Sequence, residues 1–174
     1  RIVPGLLVVL MLLARAWVDS PTAFAGSEPP QAGSGPASEP GAKVLYLTFD
    51  DGPSGYTQPI LDVLARHGAK ATFFMLGRQA NGKQDLLRAI YDAGHGIANH
   101  TYSHPYLTSL SRTRFREEVT STSAVIGGLD HGCLRPPYGA SSKTVRVEAS
   151  ELGYTLVTWT IDPRDWSRPG AAAI

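Results

Sequence analysis

The chain has 174 residues, room for one domain of ordinary size and an appendage. Its 16 Lys and Arg against 15 Asp and Glu leave a formal net charge of +1, which offers no basic stripe to a nucleic-acid partner. The single cysteine, Cys133, excludes an intrachain disulfide and a cysteine-built zinc knuckle, and reads as a small buried hydrophobe.

The first segment is "RIVPGLLVVLMLLA", a basic residue followed by roughly a dozen mostly apolar ones, with "AFA" at Ala23 to Ala25 downstream. This pattern predicts a secretory signal peptide over residues 1–25. The run is shorter than the about 20 residues of a spanning helix. Left uncleaved it would serve as a membrane anchor; cleaved, it leaves a secreted or cell-wall-associated chain with no stable membrane insertion. Residues 26–42, "GSEPPQAGSGPASEPGA", hold no large apolar side chain to offset ordering entropy, and read as a flexible linker. The remaining 43–174 form the expected domain. No internal repeat is visible, and no residue pattern speaks for an oligomeric state.

"KVLYLTF" from Lys43 is β-branched and aromatic, with apolar residues on both faces, and predicts a strand covered on both sides. "TQPILDVLARHG" predicts a helix capped by Thr57, with Pro59 in its first turn, a stripe of Ile60, Leu61 and Leu64, and a stop at Gly68. "KATFFML" is a second strand, "QDLLRAIYDAG" a helix with Leu86, Leu87 and Ile90 on one side, and "GIAN" a short strand. A longer helix is expected over about 112–127, then a strand end at "CL". "SKTVRVEASELG" is another helix, with Val145, Ala149 and Leu152 on one face, and "YTLVTWTI" a last strand. Strands alternating with helices through short loops predict a parallel β/α architecture, and leave barrel and open sheet undivided.

The polar clusters follow strands. Asp50 and Asp51 follow the first, His100 and His104 follow "GIAN", Arg135 opens "RPPYG" after "CL", and Asp162 to Trp166 follow the last. In parallel β/α folds the carboxyl ends of the strands share one face, so these clusters are expected to converge. His100 and His104, four apart, point the same way from one helical turn or a tight turn like it. Two neutral imidazoles suit a borderline divalent ion and leave it wanting a carboxylate. The adjacent Asp50 and Asp51 then have a use. One serves as a ligand that relieves the repulsion, and the other is left as a general base toward water. Arg135 on a rigid Pro-Pro turn can hold a base carboxylate, a backbone N–H of the Tyr-Gly turn can face an oxyanion, and Trp166 can face a sugar ring.

"TFDDGP", "HTYSHP", "RPPYG" and "DPRDW", in that order over about 43–168, resemble the NodB-type polysaccharide deacetylases, carbohydrate esterase family 4. The resemblance implies a distorted (β/α) barrel, open on one side. It implies a secreted hydrolase removing N-acetyl groups from a GlcNAc-type polysaccharide such as peptidoglycan or a chitin-like chain. Asp50 would be the base, Asp51, His100 and His104 the ligands of one divalent ion (zinc first, cobalt or another as alternatives), and Arg135 the holder of Asp50. The Tyr138 N–H would contribute to the oxyanion site, and Trp166 would line the groove. Family members also carry a Leu-x-His whose histidine acts as general acid and pairs with the residue matching Asp165. Only "SRPGAAAI" follows Trp166 here, and Asp165 has no such partner. The expectation is a barrel lacking its last strand and helix, in a fragment of a longer reading frame. His67 and His95 flank helix-ending glycines and read as structural, and His131 lies close to the third motif but outside it. A glycan-binding remnant of impaired activity, or an O-acetyl esterase on a polysaccharide such as xylan, is the alternative to the N-deacetylase.

Overall fold

The computed structural model describes residues 44–168, 170 and 172; the expected signal peptide and linker lie outside the described residues. Five parallel strands form one sheet in the order β1-β2-β3-β4-β5, each hydrogen-bonded to the next in sequence. They are β1 (Leu47–Gly52), β2 (Ala71–Met75), β3 (Gly96–Asn99), β4 (Asp130–Leu134) and β5 (Thr155–Leu156). Strand order follows chain order without a reversal. A barrel winds in this way, whereas a doubly wound sheet turns back at a switch point.

The crossovers carry α1 (Thr57–Arg66), α2 (Gly77–Ala80), α3 (Gln84–Asp92), α4 (Arg112–Ile126) and α5 (Lys143–Glu151). Leu61 and Leu64 of α1, Leu87 and Ile90 of α3, and Phe73, Met75 and Ile97 of the sheet bury one core cluster. Leu107, Phe115, Val119, Leu134, Val145 and Ala149 bury a second beneath α4 and α5. Ser111 and Ser142 accept hydrogen bonds from the Arg114 and Val145 N–H groups, which caps α4 and α5. Among the described residues no helix is long and apolar enough to cross a membrane.

Several expectations are corrected. The first strand begins at Leu47, not Lys43, and lies at the sheet edge, with Leu45 and Tyr46 exposed. Every residue of β1 is exposed or half-buried, so the strand is not covered on both faces. Thr57 does not cap α1; the cap position is Tyr56, and the Thr57 hydroxyl accepts from the Ser54 N–H at 2.9 Å. "YTLVTWTI" supplies only the two-residue β5, whose Thr155 and Leu156 pair with Cys133 and Leu134 of β4. Cys133 is only half-buried.

His95 is structural, as expected. Its Nδ1 accepts from the Ala71 N–H at 3.3 Å, so the ring is needed neutral, and burial, helped by Lys70, lowers its pKa. The unfolded chain therefore takes up this proton first. The stability His95 secures is present above about pH 6.5 and lost as pH falls from there toward the lower folded value. Thermal unfolding of the metal-free protein between pH 7.5 and 5 should show a shallower pH slope for His95→Gln than for the parent; equal slopes would contradict this role.

Candidate active site

Every strand-borne element of the site sits at the carboxyl end of the sheet. The ladder between β1 and β2 pairs Phe49 with Phe73 but Gly52 with Met75, so β1 carries one extra residue between those points. This is a β-bulge, and Asp51 within it has φ of 63°. In a regular strand Asp50 and Asp51 would face opposite sides of the sheet. The bulge turns both into one site. Asp50 Oδ1 lies 2.7 Å from Arg135 Nη1, and Asp51 Oδ1 lies 3.5 Å from His100 Nε2 and 3.3 Å from His104 Nε2.

His100 follows β3 and is buried. Its Nδ1 is 2.7 Å from the Arg135 carbonyl, which can only accept, so Nδ1 carries the proton and Nε2 keeps its lone pair toward Asp51. Burial is the largest influence on its pKa and lowers it, against the opposing pull of Asp50, the Arg135 carbonyl and Asp51. A neutral imidazole fixed through its second nitrogen by a carbonyl is the arrangement of a metal ligand.

The two histidines do not share a helical turn. Thr101 and His104 both adopt the left-handed conformation, at φ of 71° and 68°, in a tight turn closed by His104 N–H donating to Thr101 Oγ1 at 3.1 Å. A β-branched residue there is strained, and strain of this kind persists only where neighbours over-determine it. Two buried side chains do so. Asn99 Oδ1 accepts from the Thr101 N–H at 2.9 Å while its amide donates to the Val119 carbonyl. Glu118 of α4 reaches under the turn: Oε2 accepts from the Tyr102 and Ser103 N–H groups at 2.9 and 2.8 Å, and Oε1 from the Ser103 hydroxyl at 2.6 Å.

Neither Asn99 nor Glu118 stands out in the sequence, because an acid in a helix ordinarily reads as solvated surface. Glu118→Ala removes both accepting oxygens and leaves the Tyr102 and Ser103 N–H groups without their partner. Zinc titration of the refolded variant should show affinity reduced by about 10–100-fold. An unchanged affinity would mean that Glu118 does not position the histidines.

Arg135 follows β4 and is buried. Its guanidinium lies 3.9 Å over the Phe74 ring and 5.7 Å from Trp159, while Nη1 donates to Asp50 and to Thr48 Oγ1, and Nη2 to the Thr158 carbonyl. After it, Pro137–Gly139 make a short 3-10 turn in which Tyr138 has φ of 60°. Gly139 has φ of 65°, and a Cβ there would stand 2.9 Å from the Trp159 ring, so only glycine lets this turn close against Trp159.

Asp51, His100 and His104 each offer one ligand atom, all within 4.8 Å of one another. Bonds of about 2.0–2.2 Å at a tetrahedral angle would separate ligand atoms by about 3.3–3.6 Å, which the two Asp–His distances match. Oxygen and imidazole donors suit a borderline divalent ion. The residues fit the group.

Asp165 and Trp166 are not brought into this constellation by any described hydrogen bond, ion pair or ring contact. They lie in an exposed 3-10 turn, where Asp165 Oδ1 accepts from the Trp166 N–H and Trp166 is 74% exposed. His131 sits in the first half of β4, away from the site end, with its ring edge-on to Tyr91 at 6.1 Å.

The model of the polysaccharide deacetylase family matches residues 37–157. A chitooligosaccharide deacetylase of Sinorhizobium fredii is 41% identical over 146 residues, covering 80% of this chain and 67% of its own. A peptidoglycan-N-acetylglucosamine deacetylase of Bacillus cereus is 38% identical over 134 residues, covering 75% of this chain and 49% of its own, so this chain spans about half to two thirds of the length of these relatives. A solved family 4 carbohydrate esterase from Streptomyces lividans, in complex with acetate, superposes with a TM-score of 0.71 at 40% identity, over 74% of this chain and 69% of its own. With the strand-end site and these likenesses together, the chain belongs to the polysaccharide deacetylase family.

Proposed function

We propose that this site hydrolyses N-acetyl groups on a GlcNAc-type polysaccharide, peptidoglycan or chitin-like, with one divalent ion, zinc first, held by Asp51, His100 and His104. The observation that carries the reading is the splitting of the Asp pair, one carboxylate against two histidines and the other against an arginine. When bound, the ion supplies Lewis acidity toward the acyl oxygen and toward water. Asp50, oriented by Arg135, takes the proton of the attacking water and returns it to the amide nitrogen as the acyl C–N bond breaks, releasing acetate and the free amine of the sugar. The Tyr138 N–H finds no acceptor among the described hydrogen bonds, and its left-handed backbone leaves it to donate to the oxyanion that forms at the acyl carbon. The relatives named for chitooligosaccharide and peptidoglycan supply the substrate class. Residues 1–25 as an export signal and 26–42 as a linker would deliver the domain 43–174 to the wall.

The test is acetate release from N-acetylated chitotetraose by the zinc-loaded protein. Release that stops on chelation and returns with zinc is expected. Release from acetylated xylan alone would replace the reading with an O-acetyl esterase, and tetramer binding with no release from either would replace it with a glycan-binding remnant.

A further inference from the structure

Beside the histidines lies a surface the mechanism does not use. The Tyr138 ring meets His104 edge-on, with centroids 4.6 Å apart, and lies flat against Tyr106, with centroids 4.0 Å apart and planes 16° from parallel. Tyr106 and Tyr138 are 54% and 55% exposed, so this stack faces solvent instead of filling a core. The two rings come from different loops, one after β3 and one after β4, and both backbones are held. The Tyr106 carbonyl accepts from the Ser109 N–H and hydroxyl, and Leu107 beside it is buried. Tyr138 stands in the turn that Gly139 closes on Trp159.

We propose that Tyr106 is a stacking platform for a sugar ring of the substrate, the ring neighbouring the one whose acetamide enters the site. One face of Tyr106 is covered by Tyr138, and the residue is still 54% exposed. A pyranose presents CH groups on a face of similar size, and a tyrosine held by its backbone and a stacked partner loses little further freedom on meeting it. The stack is continuous with His104, one ring removed, so a glycan with an acetamide at the histidines has its next ring in reach. The inference rests on the deacetylase reading for its ligand class, and its test does not need turnover.

The probes are N-acetylated chitotetraose and GlcNAc monomer, titrated calorimetrically into the zinc-loaded protein. Tyr106→Ala should weaken tetramer binding by up to about tenfold while monomer and zinc affinities stay within about twofold, and Tyr106→Phe should restore the tetramer. Equal losses for both sugars, no loss, failure of the Phe variant to restore, or no tetramer binding by the parent would each overturn the platform. Tetramer binding that depends on Tyr106 without acetate release would overturn the deacetylase reading and leave the platform standing.

Discussion

Asp50→Asn should lower acetate release by about 10²–10⁴-fold, the usual worth of a positioned general base. Asparagine has the same shape, and its oxygen can still accept from Arg135 Nη1, so the strand bulge and the ion pair's geometry survive. What it lacks is a site for the water's proton. Asp50 faces Arg135 at 2.7 Å, while the carboxylate against both histidines is Asp51. The loss should therefore fall on turnover, with tetramer affinity nearly unchanged. Single-turnover acetate release beside binding titrations checks this. Full activity in the variant would remove Asp50 from the chemistry.

Arg135→Ala should have the largest effect on the fold. The arginine is 3% exposed, packs over Phe74, and ties β1 to the segment just after β5 through Thr48, Asp50 and Thr158. Removing it leaves a void beside Phe74 and Asp50 without its cation, at a cost of about 2–4 kcal/mol. The low end is expected, because Asp50 is 31% exposed and water partly replaces its partner. Arg135→Lys keeps the charge but not the flat fork, and should recover only part of the loss. Urea unfolding of the metal-free proteins reads these differences, and a midpoint for Arg135→Ala equal to the parent's would contradict them.

Local pattern reached the central elements closely. "GIAN" is β3 itself and the helix expected over about 112–127 is Arg112–Ile126, because both lie where periodicity and tertiary packing agree. The edges were less legible. β1 and β5 each have one strand neighbour, and their composition does not say so. The Asp51–His100–His104 cluster could be anticipated because its residue types allow few other uses. How two adjacent Asp reach one site could not, since alternation along a strand forbids it and the bulge depends on a left-handed Asp51. Glu118 and Asn99 stayed hidden for a related reason: most of their partners are backbone N–H and C=O groups of a loop and a helix, which leave no mark in side-chain spacing.

The division of labour between the two carboxylates is tested most directly by zinc titration of the metal-free parent, Asp50→Asn and Asp51→Asn, all three folded by circular dichroism. One ion per chain in the parent and in Asp50→Asn, with affinity lost by orders of magnitude in Asp51→Asn, is the expected result. Equal losses in both variants, or one ion bound as tightly by Asp51→Asn as by the parent, would contradict the assignment of Asp51 as ligand and Asp50 as base.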